Sequence, residues 1–215
     1  MKPQRRPHIT EEKIMEASWK LLAVQGIEQF TMRSLAAELG IQAPSIYWYF
    51  KSKQLLFQAL ANEVAKEISL GLPREGGWKE RLLESGRTIR LKLREFPCSA
   101  QIFMQTRPEP DYLRVMDQLL GMVESAPISD EDRFSFMLHL LNYVLNYSVD
   151  EYEQKRVQAA YPEEERYRMS DLAEFPLVRR IYENGLFRLV GSEEMFESGL
   201  LLLLDGMERK MAEGM

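Results

Sequence analysis

Apolar positions recur every three to four residues through almost every segment of this chain, and strand-like alternation is absent, which predicts an all-α protein. Thr10 can cap a first helix with Glu11 and Glu12 in its first turn, where carboxylates suit the helix dipole. Ile14, Ala17, Leu21 and Val24 then share one face, and Gly26 ends the helix. Thr31 starts a second helix with Leu35, Ala36 and Leu39 inward, closed by Gly40. Pro44, tolerated in a first helical turn, opens a third through Phe50. Ser52 caps a fourth that runs to about Leu70, with Leu55, Leu56, Ala59, Leu60 and Val64 as its stripe.

The breaker cluster GLPREGG (71–77) then divides the chain into a small domain, 1–70, and a larger one, 71–215. Helical period resumes at Trp78, breaks at Pro97, returns in a short piece over 98–105, and breaks again across Pro108 and Pro110. A helix is predicted over 111–123, and a long one from Ser129 to about Tyr152. Residues 158–175 are charged and poorly periodic and read as a mobile surface loop. Pro176 begins a short helix, and Ser192 caps a last one over 193–212. Phe196, Leu200, Leu203, Leu204 and Met207 make one broad apolar stripe, and Phe134, Leu138, Leu141 and Leu145 another. Paired across a twofold axis they would build an intersubunit four-helix bundle; paired within the chain they are ordinary core.

Charge changes this picture only when it is split. Net charge is −5, yet residues 1–60 carry eight Lys/Arg against five acids, a balance of +3, and the remainder carries −8. That asymmetry fits a nucleic-acid-binding end joined to a body that avoids nucleic acid. The single cysteine, Cys98, excludes an intramolecular disulfide and suits a reducing cytoplasm. No apolar run approaches the roughly 20 residues of a membrane span, and the basic start lacks the apolar core of a secretory signal, so a cytoplasmic location is expected.

The run TMRSLAAELGIQAPSIYWYFKSK (31–53) reads as helix, tight turn at Gly40, helix: a helix-turn-helix. In its second helix Ile46 and Phe50, at i and i+4, point inward, which leaves Ser45, Tyr47, Trp48 and Tyr49 facing out. Exposed rings of this kind suit a nucleic-acid partner: hydroxyl and indole N–H groups meet phosphates while ring faces meet sugars and thymine methyls. Lys51 and Lys53 would clamp phosphates, Arg33 would reach the groove from the preceding helix, and Lys2, Arg5 and Arg6 form either a DNA-contacting arm or a solvated tail.

These residues carry a family resemblance. GIEQFTMRSLAAELGIQAPSIYWYFKSKQLLFQAL, within a match over roughly residues 10–65, resembles the DNA-binding domain of TetR-family transcriptional regulators. The resemblance implies a homodimer reading a palindromic operator in double-stranded DNA, with Arg33, Gln42, Pro44, Ser45, Tyr47, Trp48, Tyr49 and Lys53 at the DNA. Ala43 departs from the tetracycline repressors, which carry glutamine there; alanine cannot make glutamine's bidentate contact to adenine, so a different operator is expected.

The second half offers no catalytic constellation: its inventory of one His (His139), one Cys and no Gly-rich phosphate loop supports neither nucleophilic catalysis nor a metal site. Neither enzyme, cofactor nor metal is expected, and His139 reads as a hydrogen-bonded core or interface residue. Large adaptable side chains interrupted by amides, among them Phe103, Met137, Asn142 and Tyr147, suit a mostly apolar pocket with a few orienting groups. The Thr106-Arg107-Pro108 turn, VDEYEQ (149–154) and FESGLLLLLDGMERKM (196–211) are similar to the C-terminal domain of the tetracycline repressors. That resemblance implies effector contacts at Ser85, Phe103, Gln118 and Asp150, with Asp150 or Glu151 as the carboxylate near the metal, and Ile89, Arg107, Met137, Asn142 and Tyr147 are further candidates for the effector site. The repressors' magnesium-binding His falls at Phe103, which removes the metal ligand and favours a metal-free, more apolar effector. The expected function is a ligand-responsive regulator, a repressor released by a small, largely apolar or aromatic molecule. The alternatives are a tetracycline-type repressor, a small all-α enzyme and an architectural DNA binder without an effector.

Overall fold

The structure is a computed structural model that describes residues 9–160 and 172–213. The basic arm and the central part of the predicted 158–175 loop lie outside the described residues. Every regular element among the described residues is helical: α1 (Glu11–Gln29), α2 (Met32–Glu38), α3 (Ala43–Tyr49), α4 (Lys53–Gly71), α5 (Trp78–Glu95), α6 (Ser99–Phe103), α7 (Pro110–Gly121), α8 (Asp130–Ala160), α9 (Pro176–Glu183) and α10 (Glu193–Glu213), with a 3-10 turn over Leu186–Leu189.

The caps fall where the sequence places them. Thr10 accepts from the Lys13 amide, Ser52 from Leu55, and Thr31 and Ser34 form a reciprocal capping box. Two stripes differ from expectation in their phase. On α1, Ile14, Ala17, Ser18 and Leu22 are buried, whereas Val24 is 87% exposed, because the i, i+4, i+8 row turns inward and carries Val24 out with it. Gly26 breaks the helical backbone at φ 75° and ψ 176°, and one short turn continues to Gln29. On α4 the buried row is Leu56, Phe57, Leu60, Ala61, Val64, Ala65 and Ile68, with Leu55 left exposed. α8 runs eight residues past the expected end near Tyr152.

α1–α3 form a compact head around Leu22, Phe30, Leu35, Ile46 and Phe50, against which the start of α4 packs. α4 then runs along α7, α6 and α5, so one helix is continuous from head to body. In the body α5 packs on α8 and α10, and α8 on α6, α7 and α10. Phe196, Leu200 and Leu204 are fully buried within this chain, so that stripe is internal core and not an intersubunit surface. Gly86 makes room for Leu200, and Gly199 for the Tyr143 ring.

Where α5, α8 and the start of α10 meet, charge is buried. Arg90, 2% exposed, donates to Glu151 Oε2 at 3.1 Å, reaches Glu193 at 2.8 Å, and lies over the Phe196 and Tyr147 rings. Glu151 also receives Arg94 Nε at 2.8 Å and Lys155 at 3.0 Å. Burial alone would raise the Glu151 pKa, but hydrogen bonds from Lys155 and Arg94 and the charge of Arg90 together hold it below the ordinary carboxylate value. Because the folded value is depressed, this stabilisation is complete above about pH 4.5, the ordinary carboxylate pKa. It is lost as pH falls through the depressed value. Glu151→Gln is expected to destabilise the fold by about 1.5–3 kcal/mol in urea unfolding, since it removes one of the two carboxylates that pair the buried Arg90 guanidinium. The same variant should also flatten the acid limb of the stability–pH curve.

Candidate nucleic-acid interface and effector region

The turn between α2 and α3 is set by Gly40, whose φ of +63° places the chain in the left-handed region that glycine enters without strain. Gln42 occupies the N-cap position of α3 and Pro44 its first turn. Ile46 is fully buried and Phe50 nearly so, and this fixes the rotation of α3 about its axis. The outward face then carries Ser45, Tyr47, Trp48 and Tyr49, with Trp48 82% exposed. Together with Ile9, Gly40, Ile41 and Gln42, the residues Ser45, Trp48 and Tyr49 line a groove of about 670 Å³. Pro44 and, on α2, Arg33 are exposed, and Ala43 is half-buried.

Two of these side chains are engaged in ways the sequence does not reveal. The Tyr49 hydroxyl donates to the Ile9 carbonyl at 2.7 Å and ties the start of the described chain to the reading helix. Lys53, expected as a phosphate clamp, turns inward instead: its ammonium donates to the Phe30 carbonyl at 2.7 Å and to Ile27 at 3.4 Å. It also sits over the Phe30 and Phe57 rings, and burial pushes its pKa below the usual lysine value. The two carbonyls end α1, where the helix dipole favours a cation. Lys51 remains exposed, with its ammonium over the Trp48 ring.

Six of the nine expected effector residues lie inside the body. Ser85 and Ile89 on α5, Phe103 at the end of α6, and Met137 and Tyr147 on α8 are buried, and Gln118 on α7 is half-buried. Ser85 donates to the Arg81 carbonyl, Gln118 accepts from Ser69 at 2.9 Å, Tyr147 donates to the Ser192 carbonyl at 2.6 Å, and Phe103 packs on Tyr112 at 5.4 Å between ring centroids. Arg107, Asn142 and Asp150 are solvent-facing, which corrects their expected place in the pocket. On α8 the inward row contains Met137, Leu141 and Val144, so Asn142 stands about 100° away from Leu141 around the helix. His139 is likewise exposed rather than core, its Nδ1 2.6 Å from the Ser135 carbonyl.

A polar ladder that sequence reading overlooked joins α4 to the turn after α6. Gln54 donates to the Gln105 carbonyl at 2.6 Å, and Asn62 to Glu109 at 2.6 Å. Between them the Gln58 amide pairs with Arg107 in both directions, donating to its carbonyl at 3.0 Å and accepting from its N–H at 3.3 Å. Thr106 closes α6 by donating to the Ile102 and Phe103 carbonyls. The four-residue spacing of Gln54, Gln58 and Asn62, which puts three amides on one face of α4, was the available signal.

Comparison with known proteins agrees with this architecture. Residues 14–60 match the family model of bacterial regulatory proteins of the tetR family, and residues 70–211 that of the tetracyclin repressor-like C-terminal domain. The chain belongs to the TetR family, whose members are DNA-binding transcriptional regulators rather than enzymes. It is 27% identical over 199 residues to the class A tetracycline repressor protein of transposon 1721 from Escherichia coli, covering 92% of this chain and 89% of the relative. TetR from Acinetobacter baumannii AYE superposes with a TM-score of 0.68 at 26% identity, over 94% of this chain and 97% of that one. BioQ in complex with its double-stranded DNA operator superposes with a TM-score of 0.58 at 26% identity, over 71% of this chain and 93% of that one. Among the described residues no helix is long and apolar enough to cross a membrane.

Trp48→Ala removes a ring that supports no core, so unfolding free energy is expected to change by less than about 0.5 kcal/mol. Its loss at the reading face should weaken operator binding about tenfold in a mobility-shift titration. Lys53→Gln should show the opposite order, with a measurable loss of head stability in thermal unfolding, because its contacts are internal.

Proposed function

We propose that this chain is a repressor that binds a palindromic operator as a homodimer and is released by a small, apolar or aromatic, metal-free effector held around Phe103. The outward face of α3 carries the reading: a buried Ile46 and Phe50 leave Tyr47, Trp48 and Tyr49 where a major groove would receive them. Gln42, Pro44 and Ser45 complete that face, with Arg33 and Lys51 as its cations, while Lys53 serves by bracing it. Half-sites one helical turn apart, about 34–36 Å, suit paired reading helices. Exposed Phe134 on α8 and Met195 and Leu202 on α10, with the wholly exposed apolar side of α9, supply the surface for a second copy. The division near residue 70 falls at the end of α4, the helix through which head and body communicate.

The effector acts in this reading through the α4 ladder. A molecule against Phe103 displaces the turn that carries Gln105 and Arg107, and the amides of Gln54 and Gln58 pass that displacement to α4. Phe103 offers no metal ligand, which supports an effector that binds without magnesium.

Selection of duplexes from a random pool by the purified chain should enrich one palindrome. Recovery of sequences without twofold symmetry would sink the dimeric-reader proposal. With that operator in hand, saturating tetracycline plus magnesium is expected to leave affinity unchanged. Gln58→Leu is expected to keep operator and effector binding but drive the effector-induced loss of affinity, ordinarily about 5–150-fold, toward one.

A further inference from the structure

A second cleft, of about 460 Å³, opens where the end of α5 meets α6 and the outer half of α8, and it shares no residue with the group around Phe103. Leu93, Arg94, Pro97, Gln101, Tyr152 and Lys155 are among its walls. Its polar groups are unbalanced toward donors. Its carboxylate, Glu151, is already engaged by Arg90, Arg94 and Lys155. Lys155 gives one N–H to Glu151 and keeps two, and Arg94 gives its Nε to Glu151, with Nη2 3.5 Å from Glu193. The Tyr152 hydroxyl shares a hydrogen bond with Cys98 Sγ at 3.3 Å. The Gln101 side-chain nitrogen is buried with no hydrogen-bond partner, an uncompensated cost that an acceptor entering the cleft would remove.

We infer that this cleft binds a small organic carboxylate. The anionic end lies between Arg94 and Lys155, where Gln101 turns to meet it, and the carbon body rests on Leu93 and Pro97. Cys98, also in the lining, places its sulfur 3.7 Å from the Leu22 carbonyl of α1, so an occupant here adjoins a contact between body and head.

Calorimetric titration of the full-length chain without DNA tests this, and its failure would leave the operator reading untouched. Phenylacetate is expected to bind at one site per chain, with phenylacetamide and inorganic phosphate each at least about tenfold weaker. Lys155→Gln, at a side chain 69% exposed, and Gln101→Leu should each weaken phenylacetate about tenfold in variants whose thermal unfolding shows them folded. The proposal is overturned by an absence of saturable binding, by equal affinity for the amide or for phosphate, or by binding that survives both cleft variants.

Discussion

The buried pairing of Arg90 with Glu151 is the constraint on which the body depends. Neither charge can be left alone in the interior, so α5 and α8 are held at a separation and rotation that pairs them, with only the Arg90 Nη2 left without a hydrogen-bond partner. Glu193 extends the same demand to the first turn of α10, where its charge also suits the helix dipole. Phe196 and Tyr147 close over the guanidinium and pack on each other at 5.3 Å between centroids, so apolar core and ion pair set the same geometry. Arg90 and Ile89 are consecutive residues of α5, and both are buried, so the pairing also fixes the rotation at which α5 presents Ile89 to the core.

From that fixed frame, motion has few routes to the head. α4 is the main one, fastened to the α6–α7 turn by its amides and to α1 by Glu63, which accepts the Trp19 indole N–H at 2.8 Å. Trp19 in turn packs on Phe96 at the end of α5, with ring centroids 5.0 Å apart. The head is thus joined to the body by these directional contacts set along a continuous apolar core.

The class of fold and the reading helix were legible because they rest on local rules. Thr31, Gly40, Pro44 and Ser52 announce starts and stops, and the i, i+4 pair Ile46 and Phe50 determines which side of α3 is left outside. Less was legible where burial depends on a distant partner. Val24 and Leu55 fit an apolar period but fall one step off the buried row, a phase that only tertiary packing decides. Asn142 and Asp150 follow the resemblance in sequence yet face solvent, because the rotation of α8 is set by Val144 and by the demands of Glu151. Arg90 reads as an ordinary surface cation until its partners 61 and 103 residues away are known. Lys53 sits where the family motif predicts a lysine at the DNA, but its ammonium is absorbed by the carbonyls that end α1.

That inward lysine bears on how such a protein would move through a genome. Attraction to DNA of arbitrary sequence comes almost wholly from cations displacing counterions, whereas rings and hydroxyls gain only where shape and base edges suit them. On the described reading face, aromatic groups outnumber the charges, Arg33 and Lys51, that remain directed to solvent. Of the described groups, then, those on the reading face gain more at a matched site than on random sequence, so sequence-independent attraction would fall largely to cations elsewhere in the chain.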